Sequence, residues 1–114
     1  MSLRRFLLPA VAALAAAPLA AGCAATGPSE PVAATEVEMV KSYRFDPKVI
    51  QVEAGDTVTW TNEDNFTHTV QVDGQEDHKV GQDESVSITF EKPGTYHYVC
   101  TLHSRDMDGK VIVR

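Results

Sequence analysis

The sequence predicts an all-β fold, a Greek-key antiparallel β-sandwich of about seven short strands. Three features predict it: apolar residues recur with period two from Glu36 onward, no segment there carries a helical period, and turn-forming residues separate the runs. Glu36 to Ser42 is the first run and Lys48 to Glu53 the second. Ala54-Gly55-Asp56 then turns the chain into a third, where Val58 and Trp60 alternate with Thr57, Thr59 and Thr61. In the fourth, Val70 and Val72 alternate with Thr69, Gln71 and Asp73, and Asp73-Gly74 supplies the next turn. The stretch GQEDHKVGQD that follows reads as a polar turn region, with His78 in solvent. Val86, Ile88 and Phe90 alternate with Ser85, Ser87 and Thr89, Lys92-Pro93-Gly94 closes that run, and Thr95 to Cys100 and Lys110 to Arg114 complete the set. Strand parity points His97 outward, and Phe45, Trp60, Phe90, Tyr96 and Tyr98 read as core rather than as an electron-hopping chain. So small a domain buries a thin core, and some further source of stability is expected.

The residues before Glu36 follow another pattern. Arg4 and Arg5 precede an apolar run from Phe6 to Ala21 that Pro9 and Pro18 interrupt, which is the layout of a secretory signal rather than of a membrane span. Its ending, Leu19-Ala20-Ala21-Gly22-Cys23, resembles the lipobox of bacterial lipoproteins. That resemblance implies cleavage before Cys23, lipid on its thiol, and a protein exported to the periplasm or to the outer face of the cytoplasmic membrane and anchored there. Ala24 to about Thr35 holds small residues with Pro28 and Pro31 and reads as a tether. The expected division is therefore a signal over 1–22, a lipidated linker over 23–35 and a domain over 36–114.

Composition narrows the function. The 114 residues allow one small domain, which excludes a multi-domain enzyme. Ten Lys and Arg against 16 Asp and Glu give a formal charge of -6, and loss of Arg4 and Arg5 with the signal takes it to -8. Nucleic-acid binding, which needs clustered cations, is not expected. Asp73, Glu76, Asp77, Asp83 and Glu84 form one acidic region, either a solubility surface or a docking patch for a basic partner.

Four residues carry chemistry. His68 shares the inward parity of Val70 and Val72 at the start of its strand, and Cys100 shares that of Tyr96 and Tyr98 at the end of its own. In antiparallel neighbours, the start of one strand and the end of the next lie at the same pole. His103 and Met107 follow Cys100 within the loop CTLHSRDM, so nitrogen and sulfur donors from all four can converge at one end of the sandwich. A thiolate, two imidazoles and a thioether form a soft set that suits a blue-copper electron-transfer centre holding one copper ion, and a thioether suits copper better than zinc.

From Tyr43 to Val113 the chain resembles the cupredoxin family, close to its plastocyanin and amicyanin branch. FDPKVIQVEAGDTVTWTN, His68, FEKPGTYHYVCTLH, Met107 and GKVIV stand in that family's order. The resemblance implies His68, Cys100 and His103 as equatorial ligands and Met107 as the axial one. It also implies a monomeric single-electron carrier that transforms no substrate and works between envelope redox proteins, such as a c-type cytochrome or a membrane oxidoreductase. The ring edge of His103, with Phe66 and Leu102 around it, is the expected electron port. Two positions depart from the family's habit: Thr69 stands where Asn is frequent and Leu102 where Pro is frequent, so hydrogen bonding and rigidity in the ligand loops are expected to differ. Copper delivery and a metal-free structural sandwich are the competing readings. A nucleophilic thiol paired with histidine is disfavoured, because no acid or amide is evidently placed to orient the base and an inward Cys100 has little access to substrate.

Overall fold

In a sandwich, alternation along the sequence becomes alternation between core and solvent. In the computed structural model, which describes residues 30–114, β5 (Asp56–Asn62) buries Val58, Trp60 and Asn62 and turns its threonines outward. The expected signal segment and Cys23 lie outside the described residues. The outward hydroxyls of β5 pair across to β8 (Ser85–Phe90), Thr57 with Thr89, Thr59 with Ser87 and Thr61 with Ser85, each at 2.8 Å. These rungs satisfy the polar face of the strand pair while the opposite face stays apolar.

The remaining strands are β1 (Val32–Ala33), β2 (Glu36–Val40), β3 (Arg44–Asp46), β4 (Val49–Val52), β6 (His68–Val72), β7 (Asp77–Val80), β9 (Gly94–Val99) and β10 (Asp108–Val113). They form a six-stranded sheet in the order β1-β4-β10-β9-β6-β7 and a four-stranded sheet in the order β3-β2-β5-β8. Between the sheets lies the expected aromatic core. Trp60 is fully buried, with Tyr98 edge-on at 5.2 Å and Phe90 at 6.3 Å, and Phe45 meets Tyr98 at 4.8 Å. Tyr96 is half-buried and packs on Phe90 from the rim. Gly109 lies opposite Tyr98, and a Cβ there would collide with the Tyr98 ring and the Lys48 carbonyl, so the close approach of β10 to that ring requires glycine.

The all-β sandwich is the fold that forms, with ten strands among the described residues where the apolar period marks about seven. The additional ones, β1, β3 and β7, are too short or too polar to show a period, and β7 buries only Val80. Its pairing sets His78 opposite Val70, which leaves that histidine half-buried rather than in open solvent. The sheets are also mixed: β1 with β4, β4 with β10 and β2 with β5 run parallel. In the stretch expected as a tether, Val32 and Ala33 pair with Ile50 and Gln51, so its last residues run along the sandwich.

Asn62, fully buried at the end of β5, organises the connection to β6. Its Nδ2 donates to the carbonyls of Phe66 at 2.8 Å and Val80 at 3.0 Å, while its Oδ1 accepts from Asp64 N–H at 2.8 Å. Replacing it with Ala strands three polar groups at a buried site, and Asn62→Ala is expected to lose about 3 kcal/mol in urea unfolding without added metal. A loss under about 1 kcal/mol would mean that the loop finds other partners.

Candidate metal centre

Strands β6 and β9 are antiparallel neighbours, with Gln71 opposite Val99 and Val72 opposite Tyr98. That register puts His68, the first residue of β6, and Cys100, just past the end of β9, at one pole of the sandwich. The loop from Cys100 to Met107 is closed by Cys100 N–H donating to the Met107 carbonyl at 3.0 Å. Within it, His103 N–H donates to the Cys100 carbonyl at 3.1 Å, and Asp106 and Met107 donate to the His103 carbonyl at 3.1 and 3.0 Å. These successive turns fold His103 back toward Cys100. They form with Leu102 in place, so backbone hydrogen bonds give the loop its shape without proline.

The Cys100 Sγ lies 3.7 Å from His68 Nδ1 and 3.6 Å from His103 Nδ1, and the three donor atoms fall within 4.8 Å of one another. A first-row ion bound about 2.0 Å from nitrogen and about 2.3 Å from sulfur, with ligands near 120° apart, needs N···S edges of about 3.7 Å. The donor set fits such an ion. His68, Cys100 and Met107 are fully buried, and His103 is half-buried. All four residues singled out by spacing and parity thus gather at one pole, with the Met107 backbone bonded to both Cys100 and His103.

Each ligand segment has its own support. His68 Nε2 lies 2.9 Å from Asp64 Oδ2. A carboxylate only accepts, so Nε2 carries the proton of the neutral ring and Nδ1 offers its lone pair toward Cys100. Burial alone would raise the pKa of Asp64. Hydrogen bonds from His68 Nε2–H and the Asn65 N–H, with the charge of Lys41, outweigh it and hold the carboxyl below its ordinary value. On the other side of Cys100, Thr69 N–H donates to Sγ at 3.3 Å. Thr69 Oγ1 accepts Thr101 N–H at 2.7 Å and meets Thr101 Oγ1 at 2.8 Å, and Thr101 Oγ1 donates to Asp77 Oδ2 at 2.7 Å. Because the Asp77 carboxylate takes the Thr101 proton, Thr69 must donate to Thr101, and every direction in the chain is set. Thr69 therefore links the two ligand segments with one hydroxyl that both accepts and donates.

Asp64, Asn62, Thr101 and Tyr43, whose ring stacks on His103 at 4.3 Å, were not singled out in the sequence. Asp64 bears on the thiol reading as well. The acid missing from that argument is present, and Cys100, His68 and Asp64 align as a thiol, a base and an orienting carboxylate. What separates them from nucleophilic chemistry is access, since none of the three is more than 4% exposed. Phe66 and Leu102, the expected contacts around His103, are 54% and 56% exposed, and Asp73, Glu76, Asp77, Asp83 and Glu84 are all exposed.

A family model described as the Cupredoxin-like domain matches residues 10–113. The chain is 38% identical over 106 residues to amicyanin-alpha of Methylorubrum extorquens, covering 87% of each protein. It is 40% identical over 83 residues to the chloroplastic plastocyanin of Physcomitrium patens, covering 60% of this chain and 49% of that one. Among solved structures it is similar to the reduced state of an amicyanin mutant, with a TM-score of 0.66 and 33% identity over 71% of this chain and 82% of that one.

The Asp64 clamp can be tested without metal. Asp64→Ala leaves the buried His68 Nε2–H without an acceptor and is expected to cost about 1–3 kcal/mol in urea unfolding. Asp64→Asn, whose carbonyl oxygen can still accept, should lose less, and equal losses in the two variants would count against the hydrogen bond as the source.

Proposed function

The chain belongs to the cupredoxin-like family, and from that premise we propose that it is a small blue-copper electron-transfer protein. His68, Cys100, His103 and Met107 would hold one copper ion. The observation that carries this reading is the convergence of one thiol sulfur and two imidazole nitrogens within 4.8 Å at the buried pole of the sandwich. The fully buried Met107, closing the same loop, supports the fourth position.

Copper, when bound, supplies a one-electron couple between its two common oxidation states. The thiolate and thioether are soft donors that favour the reduced ion, while the imidazoles keep the oxidised ion acceptable. Asp64 holds the His68 ring, the Thr69 amide holds the Cys100 sulfur, and backbone turns hold the loop, so the donors stay in place through each change of charge. Burial of His68, Cys100 and Met107 excludes water and leaves His103 as the ligand at the surface. Its ring, with exposed Leu102 next to it in the loop and exposed Phe66 on the Tyr43 ring that packs against it, is the port where a partner's redox centre comes closest.

The partner is a redox protein of the envelope, a c-type cytochrome or a membrane oxidoreductase, and the exposed acidic residues around β7 suit a basic docking face. Export and lipid attachment at Cys23 would hold the carrier at the membrane surface where such partners work, and the chain carries electrons without transforming a substrate. The rigid, buried donor set supports electron transfer over copper delivery, which calls for an open site.

The test is spectroscopic. One equivalent of Cu(II) added to the chain beginning at Ala24 should give an intense visible band that a reductant bleaches reversibly, and should raise the melting temperature. Cys100→Ser should lose that band while keeping a β-sheet circular dichroism spectrum. A band that persists in Cys100→Ser would overturn the assignment.

A further inference from the structure

Tyr43 comes from a turn of the four-stranded sheet, whereas His68 and Cys100 lie at the ends of neighbouring strands of the six-stranded one. It stands in the three-residue connection from β2 to β3, where Val40 pairs with Arg44. Both Ser42 (φ 75°) and Tyr43 (φ 56°) take left-handed backbone conformations there without being glycine. Residues with a Cβ adopt that region at a cost in free energy, and such outliers are a reason to ask what the turn places. It places the half-buried Tyr43 ring with its centroid 4.3 Å from that of His103 and the planes 32° apart. The same ring meets His68 edge-on at 5.9 Å and Phe66 at 5.7 Å.

The two histidines differ in what restrains them. His68 is clamped through Nε2 by Asp64. Among the described residues, the His103 ring has no hydrogen-bond partner besides the Cys100 sulfur, which Nδ1 faces at 3.6 Å. A ring at the surface turns about its χ2 axis unless something packs on its face, and the group packed there is Tyr43. We infer that Tyr43 is a positioning residue whose stacked ring fixes the His103 imidazole with Nδ1 toward Cys100. Its effect on bound copper rests on the function proposed above; its effect on the imidazole does not. An imidazole already set in its ligand pose moves little when the metal changes charge and gives up the metal slowly.

The experiment compares Tyr43→Phe, which keeps an aromatic face, with Tyr43→Leu and Tyr43→Gly, which remove it. Glycine adopts a φ of +56° freely, so that variant spares the turn and separates the ring from the backbone. In the copper-free full-length chain, NMR should show the carbon-bound protons of His103 shifted upfield by the Tyr43 ring current, and relaxation should report an ordered imidazole. The Leu and Gly variants should lose both signatures and Phe should keep them, while the His68 imidazole, clamped by Asp64, should stay ordered in all three even where loss of the edge-on Tyr43 ring moves its shifts. In the Cu(II)-loaded chain, transfer of copper to a chelator should be roughly threefold to tenfold faster in Leu and Gly than in wild type, with Phe close to wild type. An imidazole as ordered in Leu and Gly as in wild type would overturn the inference, whatever the copper results. Absence of a visible band in the wild type would instead count against the copper site, and the copper-free comparison would still decide the role of Tyr43.

Discussion

Thr69 N–H reaches the Cys100 sulfur at 3.3 Å across the seam between β6 and β9, joining residues that stand 31 apart in the chain. The pole where the donors meet depends on this seam. His68 is one residue from Thr69 and is aimed inward by the same strand, so the register that brings the amide to sulfur also brings the His68 ring to it. A slip of one residue along β6 would send His68 to the outer face and replace it with a threonine. The hydroxyl chain from Thr69 through Thr101 to Asp77 opposes that slip, because its donors and acceptors match at only one register. A thin core gains specificity here from polar contacts that a larger domain would draw from packing.

The two histidines show how burial dictates the kind of support a ligand receives. His68 has no contact with solvent, so its second nitrogen needs a protein partner, and a buried carboxylate meets that need while selecting the tautomer. Asp64 is in turn held by Asn65 N–H, and Asn62 fixes the loop that carries it. His103 cannot be treated the same way. In the proposed role His103 has to present its ring to a partner, and a hydrogen-bonding side chain over its outer nitrogen would cover that edge. A ring packed on the face restrains the imidazole and leaves the edge free, which is the arrangement Tyr43 provides. The strained turn below Tyr43 lies next to this function, as backbone outliers often do.

Much of this was legible in the sequence, for reasons that differ between residues. Period-two alternation marked β2, β4, β5, β6, β8, β9 and β10, because strands with one face on a core write their parity into the chain. Parity turned His68 and Cys100 inward, their places at the start and end of antiparallel neighbours put them at one pole, and the short loop brought His103 and Met107 with them. Strands β3 and β7 left no such trace: one has three residues and the other is a polar edge, where outward side chains keep the sheet soluble. The supporting residues were hidden for another reason. Asn62, Asp64 and Tyr43 lie at a strand end, in a loop and in a turn, where no period operates, and each gains its role only when a distant segment arrives. Thr69 departs from the family's habit, but whether its hydroxyl can bridge the ligand segments depends on where Thr101 and Asp77 stand.

The arrangement of Cys100, His68 and Asp64 shows why residue identity and spacing alone do not decide between chemistries. A thiol facing one imidazole nitrogen, with a carboxylate on the other, is the layout of an activated nucleophile. The same layout orients a metal ligand, because fixing the proton on Nε2 is what frees Nδ1 to coordinate. Two features of the surroundings separate the cases. A nucleophile needs an open approach, and Cys100 has none. It also needs space on the far side of sulfur for the group it attacks, and here a second imidazole faces the sulfur at 3.6 Å, an edge length that suits two ligands sharing one ion. The carboxylate counted as missing from a catalytic reading is therefore present in the structure, and its effect is to strengthen the metal-binding one.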